Sequence, residues 1–237
     1  YIYLTTAVCI ALNLNNFDVV VAKDQQPDEK TTIVEGRITF HGSLPPDRQI
    51  DVTRDAEYCG QSLSEALVIR DADTKGVSEV VVSIEGIEKS HHTRPQKSTQ
   101  LANEKCLFRP RTQIAFRGSR LGITSVDPVL HNTHIHHKTK TFLNVAVPPN
   151  NRPIIKTLAR PGMLDVRCDA HKFMEATIHV FQHPYFAMTG AKGIFKIPDV
   201  PPGTYQLNVW HHYLGVHSQT IHVPETDTHT IQVDLKK

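Results

Sequence analysis

Short runs in which apolar and polar side chains alternate recur along the chain. Ile33-Val34-Glu35-Gly36-Arg37-Ile38-Thr39-Phe40 changes face residue by residue and is rich in β-branched side chains, so it predicts a strand. Further strands are expected at 66–69, 80–86, 113–117, 121–126 and 142–147, with turns at 71–76, 148–149 and 161–162. Residues 163–168 predict a strand whose Leu164, Val166 and Cys168 share one face while Asp165 and Arg167 take the other. Beyond it Ile178 and Val180 alternate with Thr177 and His179, so the intervening loop closes a hairpin. Residues 193–205 read as a strand, a turn and the start of another strand, which 206–210 continue, and strands at 218–223 and 229–235 end the pattern. Residues 47–64 carry few apolar side chains and read as a long connection around Cys59-Gly60. Residues 88–105 read as a surface loop. No stretch of ten residues or more has helical spacing with caps. The predicted class is an all-β sandwich.

The chemistry concentrates in Cys168-Asp169-Ala170-His171-Lys172-Phe173-Met174. A thiolate, an imidazole and a thioether are spaced C-x2-H-x2-M, a soft donor set that suits copper. Trigonal His2Cys sites with a weak axial Met are the electron-transfer copper sites. Cys168 enters from a strand end, His171 from the loop and Met174 from the start of the next strand. The second imidazole must arrive from another strand. His131, in Asp127-Pro128-Val129-Leu130-His131-Asn132, is the candidate. Asn132 is placed to hydrogen-bond across to the Cys168 loop and so tune the centre. Two other readings compete: a buried Cys and Met in a sandwich core with a surface His, and a zinc site.

Composition narrows the setting. The 237 residues carry a net charge of +2 and are 39% hydrophobic, enough for a core. Lys and Arg are scattered, which argues against nucleic acid as a partner. Fifteen histidines favour metal chemistry mildly. His134, His136 and His137 offer an adventitious second metal site or a solvated stretch, and His91-His92 and His211-His212 read as exposed. Trp210 and Tyr205 read as core or strand-pair residues. Acidic residues are too scattered to nominate a general acid and base, so no enzyme activity is expected. The uncharged apolar start reads as a signal-peptide remnant over 1–22, followed by a flexible leader over 23–32. The apolar run is too short for an ordinary membrane span, so the mature chain is expected to be secreted or periplasmic. Cys9 goes with the signal. Cys59 and Cys106 either pair in an oxidising compartment or remain two buried thiols.

These motifs resemble the cupredoxins, the small blue-copper proteins. The ligand loop is similar to that of amicyanins, which have Pro after the His where this chain has Lys172. More specifically the chain resembles bacterial secreted proteins of the plastocyanin-like, methylamine-utilisation type. The matching stretches are Val34 to Gly42, 127–132, Cys168-Asp169-Ala170-His171 with Met174, and His183-Pro184-Tyr185-Phe186. A Cys-x-Phe-x-Pro-His stretch of that family is matched by Cys106 to Pro110, with Arg111 in place of the His. Residues 193–210 resemble a carboxypeptidase regulatory-like module. The resemblance implies a Greek-key sandwich over 33–182 and a small β module over 183–237, with strand 33–42 free to pair with that module. It implies one type 1 copper held by His131, Cys168, His171 and Met174, and redox proteins as donor and acceptor. His171, at the end of the sandwich, is the expected exit for the electron. Two other functions stand beside it: a copper carrier or store, and a non-redox binding module with a vestigial site.

Overall fold

The computed structural model describes residues 30–87 and 98–237. The signal-like stretch with Cys9, the leader before residue 30 and His91-His92 lie outside the described residues. β1 (Thr32–Phe40), β2 (Arg48–Asp51), the single turn α1 (Ala56–Cys59) and β3 (Ser62–Glu65) come first. β4 (Val81–Glu85), β5 (Thr99–Glu104), β6 (Leu107–Arg109), β7 (Thr112–Phe116) and β8 (Arg120–Ser125) follow. β9 (His131–His137), β10 (Lys140–Val147), β11 (Ile154–Thr157), β12 (Gly162–Arg167) and β13 (Glu175–Phe181) form the middle. β14 (Phe186–Met188), β15 (Ile194–Val200), β16 (Gly203–His211), β17 (Gly215–Val223) and β18 (Thr228–Leu235) complete the chain.

The class is all-β, as the alternation predicts. A five-stranded sheet, β10-β9-β12-β13-β7, faces a four-stranded one, β11-β8-β5-β6. Between them lie Leu101, Phe108, Leu121 and Ile123 from one side and Ile135, Leu164, Val166 and Ile178 from the other, all buried. Partners distant in sequence, such as β13 beside β7 and β5 beside β8, give the crossovers of a Greek-key sandwich. A second sandwich sets β15-β1-β18 against β14-β4-β16-β17 around Val34, Ile38, Ile84, Phe195, Leu207 and Val233. The division expected at 182/183 follows chain order, whereas core membership does not. β1 pairs with β15 and β18, and β4 with β14 and β16, so both pack with the C-terminal strands. Among the described residues no helix is long and apolar enough to cross a membrane.

Three local expectations differ from the structure. Where a surface loop is expected over 88–105, the described residues 98–105 hold a strand, β5. Only Leu101 advertises it, because buried Asn103 donates from Nδ2 to Thr124 O and so hides a polar side chain in the core. Residues 66–69 form no strand; Val68 is buried but Ile69 is exposed, and the ladder lies earlier, in β3. The 47–64 connection is an ordered ribbon, β2 paired with β3 and closed by α1.

Gly36 lies mid-strand in β1, flanked by strands on both sides. A Cβ there would overlap the carbonyl of Ile231 and press on the Phe195 ring. Gly36→Ala is therefore expected to cost about 1–3 kcal/mol, since backbone must shift to relieve it. The urea midpoint of the purified variant measures this, and an unchanged midpoint would contradict the close approach.

Candidate metal centre

Strand pairing brings the heptad and His131 together. β12 lies between β13 and β9, with Val166 opposite Ile135 and Arg167 opposite His134. The chain leaves β12 at Arg167, and Cys168 follows in the interior, 1% exposed. His131 is the first residue of β9, fully buried. Sγ of Cys168 and one nitrogen each of His131 and His171 all lie within 4.8 Å of one another. Cys168 Sγ is 3.8 Å from Nδ1 of His171. For metal–sulfur and metal–nitrogen bonds of about 2.3 and 2.0 Å in a trigonal plane, that separation would be about 3.7 Å. Met174 is fully buried in the same cluster, and its N–H donates to His171 O at 2.9 Å, closing the loop.

The sulfur accepts two backbone N–H groups, from Asn132 at 3.5 Å and His171 at 3.4 Å. Hydrogen bonds around the Cys sulfur tune sites of this kind. Asn132 bridges as its position suggested. Its Oδ1 accepts from Asp169 N–H, and its Nδ2 donates to Asp169 Oδ2 and Asn144 Oδ1. The far end of the loop is held by an ionic network. Glu175, next to Met174, accepts from Arg48, Arg111 and Arg167, and Arg48 also reaches Phe173 O. Arg111 is thus a buried partner of Glu65 and Glu175.

Both imidazoles are oriented by carboxylates. Nε2 of His131 lies 2.9 Å from Asp127 Oδ2, and Nε2 of His171 lies 3.0 Å from Asp55 Oδ2. An ionised carboxylate only accepts, so each Nε2 carries the proton and each Nδ1 presents a lone pair. Nδ1 of His131 is buried with no hydrogen-bond partner. A buried nitrogen lone pair left over in this way, on a ring that lies beside a thiol and a second imidazole, fits a metal ion. Burial pushes both imidazoles below the ordinary histidine value, opposed by their carboxylates. They are held neutral, the form that ligates. Asp127 resists its own burial because the N–H groups of Cys106 and Lys105, the Tyr58 hydroxyl and His131 all donate to it, and its pKa falls.

His171 is not the exposed exit that the resemblance implies. It is 1% exposed, with Asp55 and Cys59, at the two ends of α1, lying against it. Asp55 meets its Nε2, Phe173 stacks edge-on at 5.9 Å, and a Cys59–Cys106 disulfide with Cα atoms 5.6 Å apart packs alongside. The structure thus holds the paired alternative for these two cysteines. Asp55 and Tyr58 escaped the sequence reading; Asp55 lies 116 residues from His171, too far for any spacing signal. His134 and His136 face away from the core, and both nitrogens of His134 are taken, by Asp169 and Thr141. They join no three-donor group among the described residues. His211 is buried, with Nδ1 accepting from Tyr213 and Leu214 N–H, and both nitrogens of His212 are buried too, contrary to the exposed reading.

A family model described as polysaccharide lyase family 4, domain II, matches residues 175–231. Among solved structures the chain is similar to a copper-containing nitrite reductase from Thermus scotoductus SA-01, with TM-score 0.33 and 14% identity over 42% of this chain and 25% of that one. It is similar to a purple cupredoxin from Nitrosopumilus maritimus, with TM-score 0.32 and 17% identity over 35% and 100% of the two chains. It is also similar to amicyanin from Paracoccus versutus, with TM-score 0.32 and 18% identity over 37% and 85%. A search of the curated proteins finds no relative. The chain spans a quarter of the nitrite reductase it matches. With likeness at this level, the chemistry of the centre is read from its donors.

Proposed function

We propose that this chain is a secreted cupredoxin that carries single electrons between a donor and an acceptor protein through one type 1 copper. His131, Cys168, His171 and Met174 would hold the ion. The observation that supports this best is the convergence of Cys168 Sγ with one ring nitrogen each of His131 and His171 in a buried pocket, where His131 Nδ1 has no hydrogen-bond partner. Copper supplies a one-electron couple when bound. The chain's part is to keep the donors still: Asp127 and Asp55 fix the rings, and two N–H groups fix the sulfur. With four protein donors no place remains for a substrate, so we read no enzymatic step. The carboxypeptidase regulatory-like tail braces the copper sandwich in this reading. Electrons would cross the covering segment 54–60 instead of a bare imidazole edge. A carrier or store that hands on copper itself is the second reading, favoured by the burial of His171.

Adding Cu(II) to the apoprotein is expected to produce an intense visible thiolate-to-copper band, and Cys168→Ser to abolish it completely. A colourless wild type, or a band that survives Cys168→Ser, would overturn the copper assignment. Release of the ion to a strong chelator within seconds would favour the carrier.

A further inference from the structure

The Cys59–Cys106 disulfide touches the candidate ligands. Sγ of Cys59, Sγ of Cys106 and a ring nitrogen of His171 all lie within 4.8 Å of one another. Sγ of Cys106 is equally close to a nitrogen of His131 and an oxygen of Asp127. All of these residues are buried. The sulfurs sit in an apolar pocket with Val52, Leu63, Val129 and Phe173. While bonded to each other they are poor donors. As thiolates they would be two soft ligands beside an imidazole already in use, and soft sulfur selects Cu(I).

We propose that reduction of Cys59–Cys106 by a dithiol creates a second Cu(I) site from Cys59, Cys106 and His171, which competes with the first for the ion through the shared imidazole. The step balances. The dithiol gives two electrons and two protons, the S–S bond breaks, both cysteines become thiols, and the reductant closes its own disulfide. Binding Cu(I) then releases one proton from each thiol. The placement gives the second set a use. Cys59 belongs to α1, whose Glu57 and Tyr58 are exposed, so an ion there is held in part by the cover itself. Besides the disulfide, α1 is held at the centre by Tyr58 Oη to Asp127 and Asp55 to His171, and the ribbon next to it by Arg48 to Glu175 and Glu65 to Arg111. An oxidised disulfide thus keeps copper in, and a reduced one draws it outward.

The inference takes its metal from the copper reading but does not need Cys168, so the test is made on Cys168→Ser. The variant, oxidised or reduced with a dithiol that is then removed under argon, is titrated with Cu(I) against a coloured Cu(I) chelator. The oxidised form is expected to leave the ion with the chelator, and the reduced form to take one equivalent. Adding Cys59→Ser or Cys106→Ser should abolish that uptake, and X-ray absorption should show two sulfur donors. A folded, reduced variant that takes no more Cu(I) than the oxidised one makes the disulfide purely structural and ends the proposal. So does uptake that survives both serine changes. A reduced chain that loses its cooperative thermal transition, and does not regain it with one equivalent of Cu(I), ends it as well. The visible band of the oxidised wild type reports separately on the first site.

Discussion

Asp127→Ala is expected to cost more stability than any other single change at the centre, about 4 kcal/mol or more, and to weaken copper binding at the same time. The carboxylate is fully buried and accepts from four donors: Tyr58 Oη, Lys105 N, Cys106 N and His131 Nε2. Each hydrogen bond to a charged group contributes about 1.5–3 kcal/mol, and stranded buried donors cost about 1–3 each. Lys105 and Cys106 both hold left-handed φ, 52° and 56°. Such a turn costs energy for non-glycine residues, and its successive N–H groups form a cup that the carboxylate fills. Alanine empties the cup, loosens Cys106 and frees the His131 ring to turn. Loss of a partner that orients a metal-bound His lowers affinity by about 10–100-fold. Asp127→Asn is expected to be milder. Its oxygen can keep Cys106 and His131 and its amide can donate to the Tyr58 hydroxyl, so only the Lys105 N–H loses its acceptor. Urea midpoints of the two apoproteins and copper competition will rank them; equal losses for Ala and Asn would contradict this account of the four donors.

Much of the centre could be read in the sequence because three of its donors share seven residues. The period-2 pattern of Leu164, Val166 and Cys168 gave the sulfur its inward direction, and all three are buried. What was not legible comes from elements that lack an apolar face. The ribbon beside α1 is mostly polar, with only Ile50, Val52 and Leu63 to pack inward, and it is held by Arg48 and Glu65, so little in its pattern announces a cover. β9 looks polar because His131 and Thr133 point inward, and only the pairing with β12 shows that they do. Asp127, four residues before His131, stood inside the quoted motif, yet its role depends on a turn at 105–106 that no local pattern reveals. The sandwich membership of β4 was hidden for a similar reason. Val81, Val82 and Ile84 are apolar and fit either core, and only the partners β14 and β16 decide.

Below pH 6.5 the protein is expected to lose stability steeply, because three histidines beyond the copper centre are folded neutral. Burial holds His179 and His211 at about 4 and His212 at about 3, with the Arg111 guanidinium adding to the penalty for the last two. The sign follows from where protons bind. The unfolded chain takes them up near 6.5, the folded chain does not, so the stability is full above 6.5 and drains as the pH falls toward about 4. Each such histidine contributes about 1.4 kcal/mol per pH unit, about 4 for the three together. Total stabilities of about 5–15 kcal/mol would be consumed within a few units. Carboxylates with lowered values, Asp127 among them, add their losses only at lower pH. His212 isolates one share of the slope. Both of its ring nitrogens are buried without a hydrogen bond, so His212→Phe removes a proton acceptor and strands nothing. Urea midpoints of wild type and variant between pH 7.5 and 5 will show whether the slope falls by about a third. If the wild-type midpoint is flat over that range, these side chains are reached by water and the buried cluster does not exist in solution.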